Sequence, residues 1–261
     1  FERTRSQVMT VLGGERLSSS RKQAFDMLVS NVATAIANSA QRRLSLERLK
    51  PRDQQELLAL SLIGPNTTGA ELAEIDPADF LGRVSTGLDL LVKGGLGAAV
   101  TQLFQGIPVK TNAPVKAVED DEATARVTLR DGTQLQADGV ILTVPPALLA
   151  KGDITITPEL PGEYKEALAA LPMGSLNRIA LAFSEDIFAS LQPQTKLRAV
   201  TGAGVIDALL KPHNLPMAIC TVGGAQARAL ERQSDSAALN YALTGLAEVF
   251  GPAVTAAFVK G

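Results

Sequence analysis

Residues 108–149 constrain this chain more than any other stretch. Ala125, Val127 and Leu129 alternate with Thr124, Arg126, Thr128 and Arg130, and the run then meets Asp131-Gly132. That dipeptide accepts the positive φ angles of a tight hairpin turn. Leu135 and Ala137 resume the alternation on the far side. After Asp138-Gly139 comes Val140-Ile141-Leu142-Thr143-Val144, which has no period and so reads as a strand covered on both faces. Pro145-Pro146 ends it, because proline gives a ladder no donor. The expectation is a half-solvated hairpin that feeds a buried strand and delivers backbone to an interior site.

The residues before this stretch read as helical over roughly the first eighty positions. Ser18 to Ser20 offer an N-cap ahead of Phe25, Leu28, Val29, Val32, Ile36 and Ala37, which recur at helical spacing. A second helix is expected from near Pro51 to the breaker Gly64-Pro65, and a third from Pro77 to Gly82 behind Asp76. These helices read as a packed subdomain with no chemistry of their own. Leu88 to Val92 is a short apolar segment, followed by Lys93-Gly94-Gly95-Leu96-Gly97 and a helix through Ala98, Val100, Leu103 and Phe104. Such a bend can cradle a phosphate on exposed N–H groups. The dinucleotide fingerprint is nevertheless incomplete, with Val100 where it wants Gly or Ala, and Gly202-x-Gly204 fails likewise at Asp207.

Beyond the prolines, Ile154 to Pro158 is extended and residues 162–171 form a helix. In the next strand Ile179, Leu181 and Phe183 point one way and Arg178, Ala180 and Ala182 the other. Arg178 therefore projects over small residues, either as a solvated strand arginine or as an anion contact. Further strands are expected at 204–209, 217–222 and 254–259, with a helix over 235–250. Glu119 to Glu122 reads as a solvated acidic turn.

Composition excludes several classes. A formal charge of −2 across 261 residues, with no basic cluster among aromatics, argues against nucleic acid as a partner. No apolar run reaches the roughly 18 residues of a membrane span, so a soluble chain is expected, its compartment open. One cysteine, Cys220, allows no internal disulfide, and the lone histidine, His213, reads as an exposed loop residue rather than a metal ligand. The chain starts at Phe1 and ends on what looks like a cut strand, which suggests an excerpt of a longer polypeptide.

Taken in order, several motifs carry a resemblance: Gly94-Gly95, Ala113-Pro114-Val115-x-x-Val118, the Asp131-Gly132 hairpin, and Ala137-Asp138-x-Val140-Ile141-Leu142-Thr143-Val144-Pro145. Ile154-x-Ile156-x-Pro158-x-Leu160-Pro161 and Pro172-Met173-Gly174-Ser175 complete the series. Over residues 94–188 this resembles the middle of a flavin-containing amine oxidase, the family of monoamine, polyamine and L-amino acid oxidases. The resemblance implies an α+β fold: a mixed sheet flanked by helices, with a helical N-terminal part and a three-stranded antiparallel β element. It implies that 88–150 belongs to an FAD-binding domain, while 1–87 and 151–261 form the substrate domain. Gly94, Gly95, Val115, Thr143, Val144 and Pro145 are the implied cofactor contacts, with the Val115 backbone at the adenine ring.

Arg178 falls where many members carry a lysine that holds a water beside flavin N5, so it is the implied catalytic position. As an arginine it stays protonated and can bind an anion or water but not act as a base. The implied reaction oxidises the C–N bond of a small amine or amino acid, with oxygen as acceptor and hydrogen peroxide as product. A homodimer is allowed. The family's dinucleotide loop and closing flavin segment are not in these residues, so tight FAD binding and activity are not expected of this chain alone. Two other readings keep the scaffold: a desaturase or protoporphyrinogen-oxidase-like enzyme, and a non-catalytic substrate-docking module.

Overall fold

The computed structural model describes residues 2–3, 7–83, 90–121 and 123–261. The chain divides into two compact units, Phe1–Val100 with Gly174–Gly261, and Thr101–Met173. The larger opens with β1 (Glu2–Arg3), β2 (Val8–Leu12) and β3 (Glu15–Arg16), then α1 (Ser19–Gln41), α2 (Gln54–Ile63), α3 (Pro65–Thr68) and α4 (Pro77–Gly82). Next come β4 (Leu90–Leu91), α5 (Leu96–Leu103), β5 (Val115–Asp120), β6 (Ala125–Leu129) and β7 (Gln134–Ala137). α6 (Pro146–Ala150), β8 (Thr155–Thr157) and α7 (Gly162–Ala170) complete the smaller unit. The larger resumes with β9 (Leu176–Phe183), β10 (Thr195–Thr201), β11 (Gly204–Leu210), β12 (Met217–Gly223), α8 (Gly224–Glu231), α9 (Asp235–Phe250), α10 (Ala253–Ala257) and β13 (Phe258–Lys260).

The larger unit is built on a seven-stranded sheet in the order β13-β9-β12-β11-β10-β2-β3. Its neighbours are antiparallel except β10 and β2, so the sheet is mixed. One face is the core. Ile179, Cys220, Ala208, Leu197 and Met9 stand opposite one another across five strands and are all buried. Leu230, Ala242, Leu246 and Val254 of α8, α9 and α10 join the same cluster. Ser234 caps α9 by accepting from the Ala237 N–H at 3.2 Å.

Among the described residues, a second apolar cluster covers one end of the opposite face. Leu12, Val200 and Val205 pack there against Phe25 of α1 and Leu58 and Ala59 of α2. The N-terminal helices pack on the sheet as well as on one another, and β2 and β3 precede them as strands where only helix was expected. α2 starts at Gln54 rather than near Pro51, because Asp53 supplies the cap, accepting from the Glu56 N–H at 2.9 Å. The helix over Pro77–Gly82 forms behind Asp76, whose carboxylate accepts from Ala78 and Asp79.

The smaller unit holds a four-stranded sheet, β7-β6-β5-β8, with β8 parallel to β5. β6 and β7 pair as the expected hairpin, and Gly132 takes φ 88° in its turn. The third antiparallel strand, however, is β5 and not 140–144. That segment pairs with nothing among the described residues, and Ile141 is 90% exposed. Pro145 and Pro146 do not stop a strand but begin α6. An aperiodic apolar run is a buried strand only where two layers exist to cover it, and the described residues supply neither. The end of the chain departs in the same way, since 253–257 is helical and only Phe258–Lys260 extends along β9. The start of the apolar segment expected from Leu88, and Glu122 of the acidic turn, lie outside the described residues.

Candidate functional site

Where the N-terminal helices stop, the open face of the large sheet carries a row of polar side chains. Cross-strand partners run Arg178 on β9, Thr221 on β12, Asp207 on β11, Arg198 on β10 and Thr10 on β2. Residues directly opposite in a ladder share a face. Alternation makes this unavoidable once the other face is apolar: Ile206 and Ala208 point into the core, so Asp207 cannot. Arg178, Thr221, Asp207 and Arg198 of this row line a groove of about 460 Å³, whose other lining residues include Leu62, Asn66 and Thr67 from α2 and α3, and Leu91. That volume lies in the range of small-molecule sites, roughly 300 to 1,000 Å³.

A close backbone crossing sets the wall. Gly223 and Gly224, at the end of β12, lie against Pro65, and a Cβ on Gly223 would overlap the Pro65 carbonyl. The Gly223 N–H donates to Asn66 Oδ1 at 3.1 Å, and the Ala225 N–H donates to Glu71 Oε1 at 2.7 Å. Ser175, one residue before β9, donates its N–H to the Gly69 carbonyl at 2.7 Å and accepts from the Gly224 N–H at 3.0 Å. The entry to Arg178 and the loop bearing Asn66 are thereby held to one another.

Burial raises the Asp207 carboxyl above the usual carboxylate range, and the charges of Arg198, Lys196 and Arg178 only partly offset this. Arg178 is exposed and makes no hydrogen bond or ion pair among the described residues, with Ala180 and Ala182 following it on the same face. Arg198 Nε, Asn66 Nδ2 and Thr10 Oγ1 are buried without a hydrogen-bond partner among the described residues. An unpartnered buried donor costs about 1–3 kcal/mol, so three such atoms on one row and its rim are an unusual concentration. Cys220 belongs to the other face, where burial pushes its thiol up to about 12. The Tyr241 hydroxyl is spent on the Val205 carbonyl.

Arg178 is the only one of the seven expected site residues in this row. Gly94 and Gly95 lie in the same unit, in an exposed turn with φ 85° and 92°, three and four residues after Leu91 of the groove wall. Val115 is half-buried at the start of β5, beside a register shift and outside the β8 ladder, which begins at Ala117. Thr143 and Pro145 are exposed and Val144 half-buried in the unpaired segment before α6. Val115 and residues 143–145 belong to the smaller unit. Sequence reasoning did not find Asn66, Arg198, Asp207 or Thr221. The available signal was a single charge flanked by apolar residues in Leu197-Arg198-Ala199 and Ile206-Asp207-Ala208. His213 sits half-buried in a short 3-10 turn, away from the row.

Comparison with known proteins agrees with this architecture. The chain is 26% identical to rice (Oryza sativa subsp. japonica) polyamine oxidase 4 over 252 residues, covering 84% of this chain and 51% of the relative. It is 26% identical to human lysine-specific histone demethylase 2 over 170 residues, covering 61% of this chain and 20% of that protein. The chain thus spans about half the length of these relatives or less. Among solved structures, putrescine oxidase bound to putrescine superimposes with a TM-score of 0.75 at 18% identity, over 99% of this chain and 67% of that one. Cyclohexylamine oxidase from Brevibacterium oxydans gives 0.63 at 17% identity, over 95% and 64%. At these identities the structures show a shared fold. A family model described as flavin containing amine oxidoreductase matches residues 9–259. With that match running over nearly its whole length, the chain belongs to the flavin-containing amine oxidoreductase family.

Proposed function

We propose that this chain supplies the substrate-side wall and part of the nucleotide-side surface of an FAD-dependent oxidase acting on the C–N bond of an amine. The observation that carries the reading is Arg178: a guanidinium with no hydrogen bond or ion pair among the described residues, exposed on a sheet face with alanines beside it. The Arg178 guanidinium, a donor only, fits a flavin's redox edge, which is rich in hydrogen-bond acceptors. The chemistry that bound FAD would supply is oxidation of the amine-bearing carbon by hydride removal, with oxygen as the final acceptor and hydrogen peroxide as the product.

The chain's own residues do the rest. Arg178 holds a water or an anion at a fixed position and stays protonated throughout. The groove floor orients the amine-bearing carbon, and its apolar walls, Leu62, Leu91 and Leu176, limit access of water. In this reading residues 88–150 contribute to the FAD-binding domain, while 1–87 and 151–261 form the substrate domain. The Val115 backbone, outside the β8 ladder, meets the adenine edge, with Gly94, Gly95, Thr143, Val144 and Pro145 along the cofactor.

The test is anaerobic flavin reduction by amines in the complete protein. Arg178→Lys is expected to retain or raise the rate, and Arg178→Met to lower it about tenfold or more, the scale of one charge-assisted hydrogen bond. Unchanged rates in both variants would remove Arg178 from the flavin's surroundings.

A further inference from the structure

The polar row invites a narrower question than the reaction itself, namely what the non-reacting part of the substrate carries. Without Lys196, the row holds two cations, Arg178 and Arg198, against one anion, Asp207. Three strand spacings separate the backbones of Arg178 and Arg198, about 14 Å, with Asp207 beside Arg198 between them. Both arginine side chains are long enough to reach over that floor.

The unsatisfied atoms have one polarity in common. Arg198 Nε and Asn66 Nδ2, the two on groove-lining residues, are donors only. What completes such a set is a group made of acceptors. A carboxylate is acceptor-only and pairs with a guanidinium through two parallel hydrogen bonds. Directly across the ladder from Arg198, the Asp207 carboxyl offers the complementary acceptor for an amine N–H, with the Cβ atoms of such a pair about 5 Å apart. A substrate with several positive charges would meet Arg178 and Arg198 with only Asp207 to offset them.

Resting on the oxidase reading above, we infer that Arg198 and Asp207 select a substrate carrying a carboxylate beside its amine, in the manner of an α-amino acid, over simple amines and polyamines. Arg198 and Asn66 receive the carboxylate, and Asp207 accepts from the amine. These are specificity contacts, separate from the role given to Arg178.

The experiment uses the complete flavoprotein and three probes: leucine, isopentylamine, which is leucine without its carboxylate, and the dication putrescine. Bound flavin is followed under anaerobic conditions and kcat/KM is obtained for each. Leucine is expected to exceed both others, and Arg198→Met to lower the leucine-to-isopentylamine ratio by about 10- to 100-fold, mostly through the KM for leucine. Arg198→Lys keeps the charge but loses the fork, so it lowers the ratio by a smaller factor. It serves as the readout if the Met variant loses its flavin.

If isopentylamine or putrescine matches or exceeds leucine in the parent protein, the inference is overturned and the oxidase reading stands. A ratio that does not change in a folded, flavin-loaded Arg198 variant overturns it too. Reduction by none of the three, in protein whose flavin dithionite reduces, overturns the inference together with the oxidase reading.

Discussion

Replacing Gly223 with alanine tests the crossing that shapes the groove. Gly223 has φ −127°, a conformation any residue adopts, so the substitution brings no backbone strain and its effect is one of packing. The added methyl would overlap the Pro65 carbonyl and come within 3.0 Å of the Asn66 nitrogen. Both are backbone atoms, which cannot rotate away as a flexible side chain would, so α3 must be pushed off β12. Overpacking of this kind costs about 1–3 kcal/mol. Separating the strands of chain also lengthens the 3.1 Å bond from the Gly223 N–H to Asn66 Oδ1, worth about 1 kcal/mol. A destabilisation of about 2–4 kcal/mol follows, a large share of a typical 5–15 kcal/mol total. Urea unfolding followed by circular dichroism measures it directly, as a lower midpoint at unchanged slope. A loss below about 0.5 kcal/mol, the scale of an ordinary surface change, would mean that α3 is not seated on the end of β12.

Other expectations follow from the same geometry. Val115→Pro, which removes the N–H proposed to face adenine, is expected to weaken FAD retention in the complete protein, and Val115→Ala to leave it intact; equal retention on gel filtration counts against the adenine contact. Asp207 is held above its unfolded value chiefly by burial, so the folded state keeps a proton that the unfolded state has lost, and stability falls as pH rises above the unfolded value of about 3.9 towards and through the raised folded one. Asp207→Asn has no such titration, and its stability relative to the parent should grow from about pH 4 to pH 7 in paired urea melts; a constant difference would refute the assignment. Cys220 is 1% exposed with its thiol pushed up to about 12, so a thiol-reactive dye at about pH 8 should label native protein negligibly and unfolded protein at one site per chain. Rapid native labelling would show that this face of the sheet opens.

The legible parts of this fold are those whose signals are local. α9 spans Asp235–Phe250 and α4 spans Pro77–Gly82, as their caps and spacing indicate, because a cap and a 3.6-residue period act within a few residues of one another. The Asp131-Gly132 hairpin and the two faces of β9 are legible for the same reason. β2 and β10 were not legible: they pair in parallel although almost two hundred residues separate them, a partnership no window of sequence contains. Residues 140–144 failed in the opposite sense, since their pattern was sound but burial is a property of what lies above and below a strand.

The amino-acid order by itself determined the helix ends, the hairpin, the direction in which Arg178 points and, through its ordered motifs, the family. Only the tertiary structure decided that Arg178, Thr221, Asp207 and Arg198 form one line and that Asn66 stands at its edge. The four come from successive strands and Asn66 from a helix far earlier in the chain, and it is ladder register, together with a glycine that lets two backbones touch, that brings them together.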